Sequence, residues 1–171
     1  MTLVVLVAAL GAWATYILFK WSRFRAARMR QGPSSITGED FEARLGRPNL
    51  PALEGYFGHP LPGALRALYG DMALVASSDL QISVANPVVN EPKCYVAWFE
   101  PGDLQTLVKV PVSCSGLFPF AGNGAGDQYF VDPKQPDPEV MYFLHETESL
   151  KGLGIRLSEF LAAPRGPVDP I

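Results

Sequence analysis

Residues 3–19 (LVVLVAALGAWATYILF) carry no charged side chain, and an apolar stretch of that length must be covered by something other than water. As a helix rising 1.5 Å per residue it is about 25 Å long, slightly short of a hydrocarbon core of roughly 30 Å. Met1 and Thr2 extend the run that Leu3 opens and Phe19 closes, and Lys20 can snorkel its ammonium to the interface. Trp13, Tyr16 and Trp21 lie toward its C-terminal end, where an aromatic belt belongs. A buried core helix is the competing reading, but the run is apolar all round rather than on one face. A cleaved signal peptide needs bases before the apolar run and small residues after it. Here the bases follow, and Lys-Trp-Ser-Arg-Phe-Arg succeeds Phe19. An uncleaved transmembrane anchor over residues 1–21 is the expectation.

Charge divides sharply behind that anchor. Lys20, Arg23, Arg25, Arg28 and Arg30 are the only charges in residues 1–38, a sum of +5, whereas residues 39–171 hold all 17 acids and nine bases, a sum of −8. Positive charge marks the cytoplasmic flank of a span. The expected topology is therefore a single pass through the cytoplasmic membrane, N-terminus outside and C-terminal domain in the cytoplasm. The basic collar of residues 22–36 would also be drawn to anionic lipid, at about 1 kcal/mol per basic residue near the surface. In that compartment Cys94 and Cys114 are reduced thiols. The acidic domain argues against direct nucleic-acid binding, which needs Lys and Arg against phosphate. It favours a basic protein partner, unless the acidity serves solubility alone.

With two cysteines and two histidines the chain is neither a disulfide scaffold nor a histidine-rich metal protein. Helices are expected first: one over residues 39–45, capped by Ser35 or Thr37, and one over residues 61–69 with Pro62 in its first turn and Leu61, Leu65 and Leu68 on one face. Pro48 and Pro51 read as interruptions between them. From residue 74 the pattern turns to short strands, at residues 80–84, 94–99, 117–121, 128–132 and 140–144, and a closing helix follows at residues 158–163. Asn123-Gly124 marks a turn between two of them. Helices followed by strands predict an α+β domain with a mainly antiparallel sheet.

Motifs for chemistry are incomplete. Gly122, Gly124 and Gly126 suggest a nucleotide loop, but the following residues are strand-like and no Gly-Lys-Ser/Thr occurs. His145-Glu146 resembles the start of a zinc-protease motif, yet Ser149 stands where the second His is required. Ser113-Cys114-Ser115 offers nucleophile atoms without Gly-x-Ser-x-Gly. No cofactor and no metal is expected. Asp127, Asp132, Asp137 and Glu139 lack the spacing of a calcium loop, and three prolines stiffen the stretch they share. They read either as a solvated turn or, with Glu146, as a contact for a basic partner.

Three segments in order resemble the SUKH superfamily of fungal cell-wall regulators and bacterial immunity proteins (the SMI/KNR type). They are Leu61-Pro-x-x-Leu-Arg-x-Leu-Tyr, then FPFAGNGAGDQYFVD over residues 118–132, then Pro138-Glu-Val-x-Tyr-Phe-x-His-Glu with Ser158-Glu-Phe-Leu. The match covers residues 37–163 and leaves residues 164–171 as a Pro-rich tail. It departs from the family in carrying the anchor, and in Phe118 where a β-branched residue is usual before Pro-Phe. The resemblance implies a curved antiparallel sheet with flanking helices, and binding rather than catalysis. Bacterial members of the family typically neutralise a toxin, often a nuclease, by occluding it. That implies an immunity protein held at the membrane; the alternatives are a regulatory or scaffold protein for an envelope process, or a hydrolase with an unrecognised site. Gly122, Asn123, Gly124, Gly126 and His145 read as structural, or as partner contacts, within this family pattern.

Overall fold

A computed structural model describes residues 48–108 and 110–167. The anchor and basic linker expected at residues 1–36, and the helix expected at residues 39–45, lie outside the described residues. Among the described residues no helix is long and apolar enough to cross a membrane.

The described chain opens with a helix that the prolines were expected to prevent. Helix α1 (Leu50–Phe57) carries Pro51 in its first turn, where a missing N–H costs nothing, and Asn49 caps it by accepting from the Ala52 nitrogen at 3.1 Å. Gly58, at φ +74°, stops it. Helix α2 (Gly63–Gly70) starts after Pro62, which stands at the cap rather than inside the first turn. It buries Leu65, Leu68 and Tyr69, while Leu61, buried just ahead of it, donates its N–H to Glu54 at 3.0 Å. A single turn, α3 (Met72–Val75), leads into the sheet.

The sheet has seven strands, all antiparallel. They are β1 (Ser78–Ile82), β2 (Cys94–Phe99), β3 (Phe118–Gly122), β4 (Gln128–Val131), β5 (Glu139–Leu144), β6 (Ser149–Arg156) and β7 (Arg165–Pro167), in spatial order β6-β5-β4-β3-β2-β1-β7. Six strands form a meander. Helix α5 (Leu157–Ala162) then carries the chain from the β6 edge back to β1, where β7 pairs and the Ser83 nitrogen donates to the Pro164 carbonyl at 2.8 Å. Six helical residues span only about 9 Å, so the two ends of the sheet must approach each other. The sheet is curled into a half-barrel with helices against it, which is the expected α+β class. One boundary moves: the tail expected from residue 164 begins with a strand of the sheet.

Two apolar clusters explain why β4 is buried on both sides. Tyr129 and Val131 join the main core with Phe118, Phe120, Val140, Leu53, Leu65, Leu157 and Phe160. Phe130 points into a smaller cluster with Phe143 and Cys114, beside Leu117, Met141 and Leu150. The segment after β2, with helix α4 (Leu104–Val108) and a 3₁₀ turn (Val112–Cys114), supplies Cys114 to this second cluster.

Candidate functional site

The β3–β4 connection, residues 123–127, is built around one asparagine. Asn123 Oδ1 accepts from the Ala125 nitrogen at 2.9 Å and the Asp127 nitrogen at 3.1 Å, closing the turn. Its Nδ2 is left to donate outward, to Asp127 Oδ2 at 2.9 Å and to the Tyr142 hydroxyl at 2.8 Å. Gly126 sits at φ +112°, and a β-carbon there would lie 3.0 Å from the His145 ring. Gly124 is also at positive φ, whereas Gly122 is needed for space: a β-carbon on it would meet the Trp98 ring at 2.6 Å.

Asp127 collects four donors. Besides Asn123, the Tyr142 hydroxyl donates to Oδ2 at 2.9 Å, and the His145 backbone nitrogen and Nδ1 reach Oδ1 at 3.0 and 2.8 Å. The residue is only 8% exposed. Burial pushes its carboxyl up, but the bonds from His145, Tyr142 and Asn123 outweigh burial and the net displacement is downward. Asp127 is therefore a fixed carboxylate whose lone pairs are occupied.

This network forms part of the floor of an open cleft of about 460 Å³. Tyr129 and Tyr142, with rings 4.9 Å apart, complete the floor, and Tyr129 donates its hydroxyl to the Tyr95 carbonyl at 2.9 Å. The wall is the β1–β2 region: Gln81, Tyr95, and the connecting loop with Asn86, Glu91 and Lys93. Asn86 is buried and holds that loop in shape through its Oδ1, which accepts from the Val88 nitrogen at 3.1 Å, and through its backbone pairing with Glu91. Lys93 donates to Gln81 Oε1 at 3.1 Å. Burial raises both floor phenols, and for Tyr142 the bond to Asp127 adds to the effect, so both stay neutral donors. Burial pushes the nearby Cys94 thiol up to about 11 against a lowering bond with Tyr129, leaving it a protonated core residue.

The remaining acids separate from this cleft. Asp132 closes the β4–β5 turn, its Oδ1 accepting from the Lys134 nitrogen at 3.0 Å. Asp137 holds the start of α5: the Ser158 nitrogen and hydroxyl donate to it at 3.1 and 2.7 Å, and those bonds lower its carboxyl. Glu139 accepts from the Gly154 nitrogen at 2.9 Å where β6 bulges. Glu146 is exposed in the β5–β6 turn and has no bonded partner among the described residues. The structure thus brings Asp127 together with Asn123, Gly126 and His145, and gives Asp132, Asp137 and Glu139 separate local duties.

The hydrolytic motifs do not converge. His145 Nδ1 meets Asp127 as a catalytic histidine would, but among the described residues no Ser or Cys is bonded to its ring, and Ser113 and Cys114 lie in the 3₁₀ turn, Cys114 buried against Phe130 and Phe143 with its thiol raised by burial. Among the described residues no group of three His, Cys, Asp or Glu side chains could hold a metal ion. No family model matches this chain, and no curated protein or solved structure is detectably similar to it.

Tyr129, Tyr142, Asn86 and Glu91 were not legible as cleft residues. In sequence the two tyrosines are apolar members of strands, and their hydroxyls acquire meaning only when β4 and β5 pair Tyr129 with Tyr142. Asn86 and Glu91 lie in a loop without a motif, and only their backbone pairing marks them.

Proposed function

We propose that the chain is a membrane-anchored binding protein of the SUKH type, an immunity protein that neutralises a basic toxin by occluding it on the cytoplasmic side of the membrane. The observation that carries this reading is the state of the cleft. Its one buried carboxylate is satisfied by four donors, and its phenols are held neutral. Such a set offers fixed dipoles and negative potential rather than a poised base or nucleophile. The domain charge of −8 supports a basic partner, attracted over distance and docked by shape. A tether at the membrane would raise the local concentration of the inhibitor where an incoming toxin emerges.

The test is functional. Full-length protein, solubilised in detergent and used as bait, should retain a basic protein whose expression is toxic, and co-expression of this chain should rescue growth. Retention of a resident envelope complex with no rescue from any retained protein would instead favour a scaffold role.

A further inference from the structure

Away from the cleft, the domain has an apolar face. Tyr56 on α1 is 65% exposed and Val112 at the 3₁₀ turn is 94% exposed. Both line a groove of about 190 Å³ with Phe57, Leu107, Val110 and Leu117. Leu104, 43% exposed, sits one turn before Leu107 on α4. Exposed apolar side chains gathered on one face are uncommon on a domain that stands alone in water.

Two further observations say what covers this face. The first is charge. Residues 104–117, which carry α4 and the 3₁₀ turn, contain no Asp or Glu, although the domain sums to −8. Of the acids adjoining the face's residues in sequence, Glu54 pairs with Arg66, and Asp103 keeps its charge while accepting from the Thr106 nitrogen at 3.0 Å and its hydroxyl at 3.2 Å. A negatively charged surface would repel the rest of the domain and tolerate this side. The second is the position of the N-terminal end of α1. Asn49 donates its N–H to the Gly102 carbonyl at 3.1 Å, two residues before α4. The N-terminal end of α1 is therefore tied to the approach to α4, beside this face.

We infer that this face, with Tyr56, Leu104 and Val112 as its contacts, rests on the bilayer surface at headgroup depth. The contact is shallow: an amphipathic Tyr and two aliphatic side chains suit the interface, not the hydrocarbon centre. It would turn the cleft and the acidic remainder of the domain away from anionic lipid. The inference rests on the membrane-anchor reading of residues 1–21.

The experiment uses the full chain in vesicles of phosphatidylcholine and phosphatidylglycerol. Cys94 and Cys114 are 0% and 1% exposed, so a thiol-directed fluorophore will label Val112→Cys selectively. Lys134→Cys, in the exposed β4–β5 turn, is the control, and Leu104→Cys is a second reporter. Lipids carrying a nitroxide near the headgroup should quench the label at positions 112 and 104 at least twofold more than at 134. If carbonate washing leaves the protein in the vesicles but the three positions quench alike, the face does not touch lipid and only this inference falls. If carbonate strips the protein off, the anchor reading fails and takes this inference with it.

Discussion

Asp127 Oδ1 receives both the backbone nitrogen and Nδ1 of His145, at 3.0 and 2.8 Å, across 18 residues of chain. That pair of hydrogen bonds pins the end of β5 to the β3–β4 turn. Removing the acceptor leaves Asn123, Tyr142 and the His145 N–H without their shared partner. Asp127→Ala should therefore cost about 2–4 kcal/mol of stability, because bonds to a charged group contribute about 1.5–3 kcal/mol each and do not add. Urea denaturation followed by circular dichroism measures it. A loss below about 1 kcal/mol would mean that the network is decorative.

The same carboxyl sets a pH dependence. Its folded-state value is lowered, so at acid pH the unfolded chain binds more protons than the folded one. The stability it supplies is complete above an unfolded value of about 3.9 and disappears as pH falls through the folded value. The gap in urea midpoint between wild type and Asp127→Asn should be constant at neutral pH and shrink below about pH 4. A gap that widens on acidification would reverse the sign and contradict the assigned bonds.

Gly126 provides a steric test of the same corner. At φ +112° a side chain is strained, and its β-carbon would press on the His145 ring at 3.0 Å. Gly116, at φ +83°, has open space around it. Gly126→Ala should cost about 2–3 kcal/mol and Gly116→Ala about 1 kcal/mol, the difference reporting the His145 contact. Equal losses would show that the ring simply moves aside.

Much of the sheet was legible because its strands carry a strong signal. Residues 94–99 are β-branched and aromatic, and they form β2 with the expected limits. Helix α1 was not legible: Pro51 reads as a breaker unless Asn49 is known to cap the turn that holds it. Strand β6 was hidden by Gly152 and Gly154, residues that weaken a strand signal and here make room for Glu139 and form a bulge. Within the site, the Asn123-Gly124 pair marked the turn between β3 and β4. The side chain that bonds the turn backbone is Asn123 and not Asp127. No pattern in the sequence could have paired Asp127 with Tyr142 and His145, because the sheet register decides that contact.

The acids near β5 make a partner-binding test harder than their sequence suggests, and Glu146 resolves the difficulty. Reversing Asp137 would also remove the Ser158 bonds that hold α5, and reversing Glu139 would free the Gly154 nitrogen. Either change mixes stability with recognition. Glu146 is exposed in the β5–β6 turn with no bonded partner among the described residues, so Glu146→Lys should leave stability within about 0.5 kcal/mol of wild type. If the acidic surface steers a basic toxin, the variant should associate more slowly at low salt and lose part of the salt dependence of association. Stopped-flow association at two ionic strengths separates the cases. An unchanged rate at both would place the docking surface away from this turn, leaving the cleft lined by Glu91 and Asp127 as the face to test next.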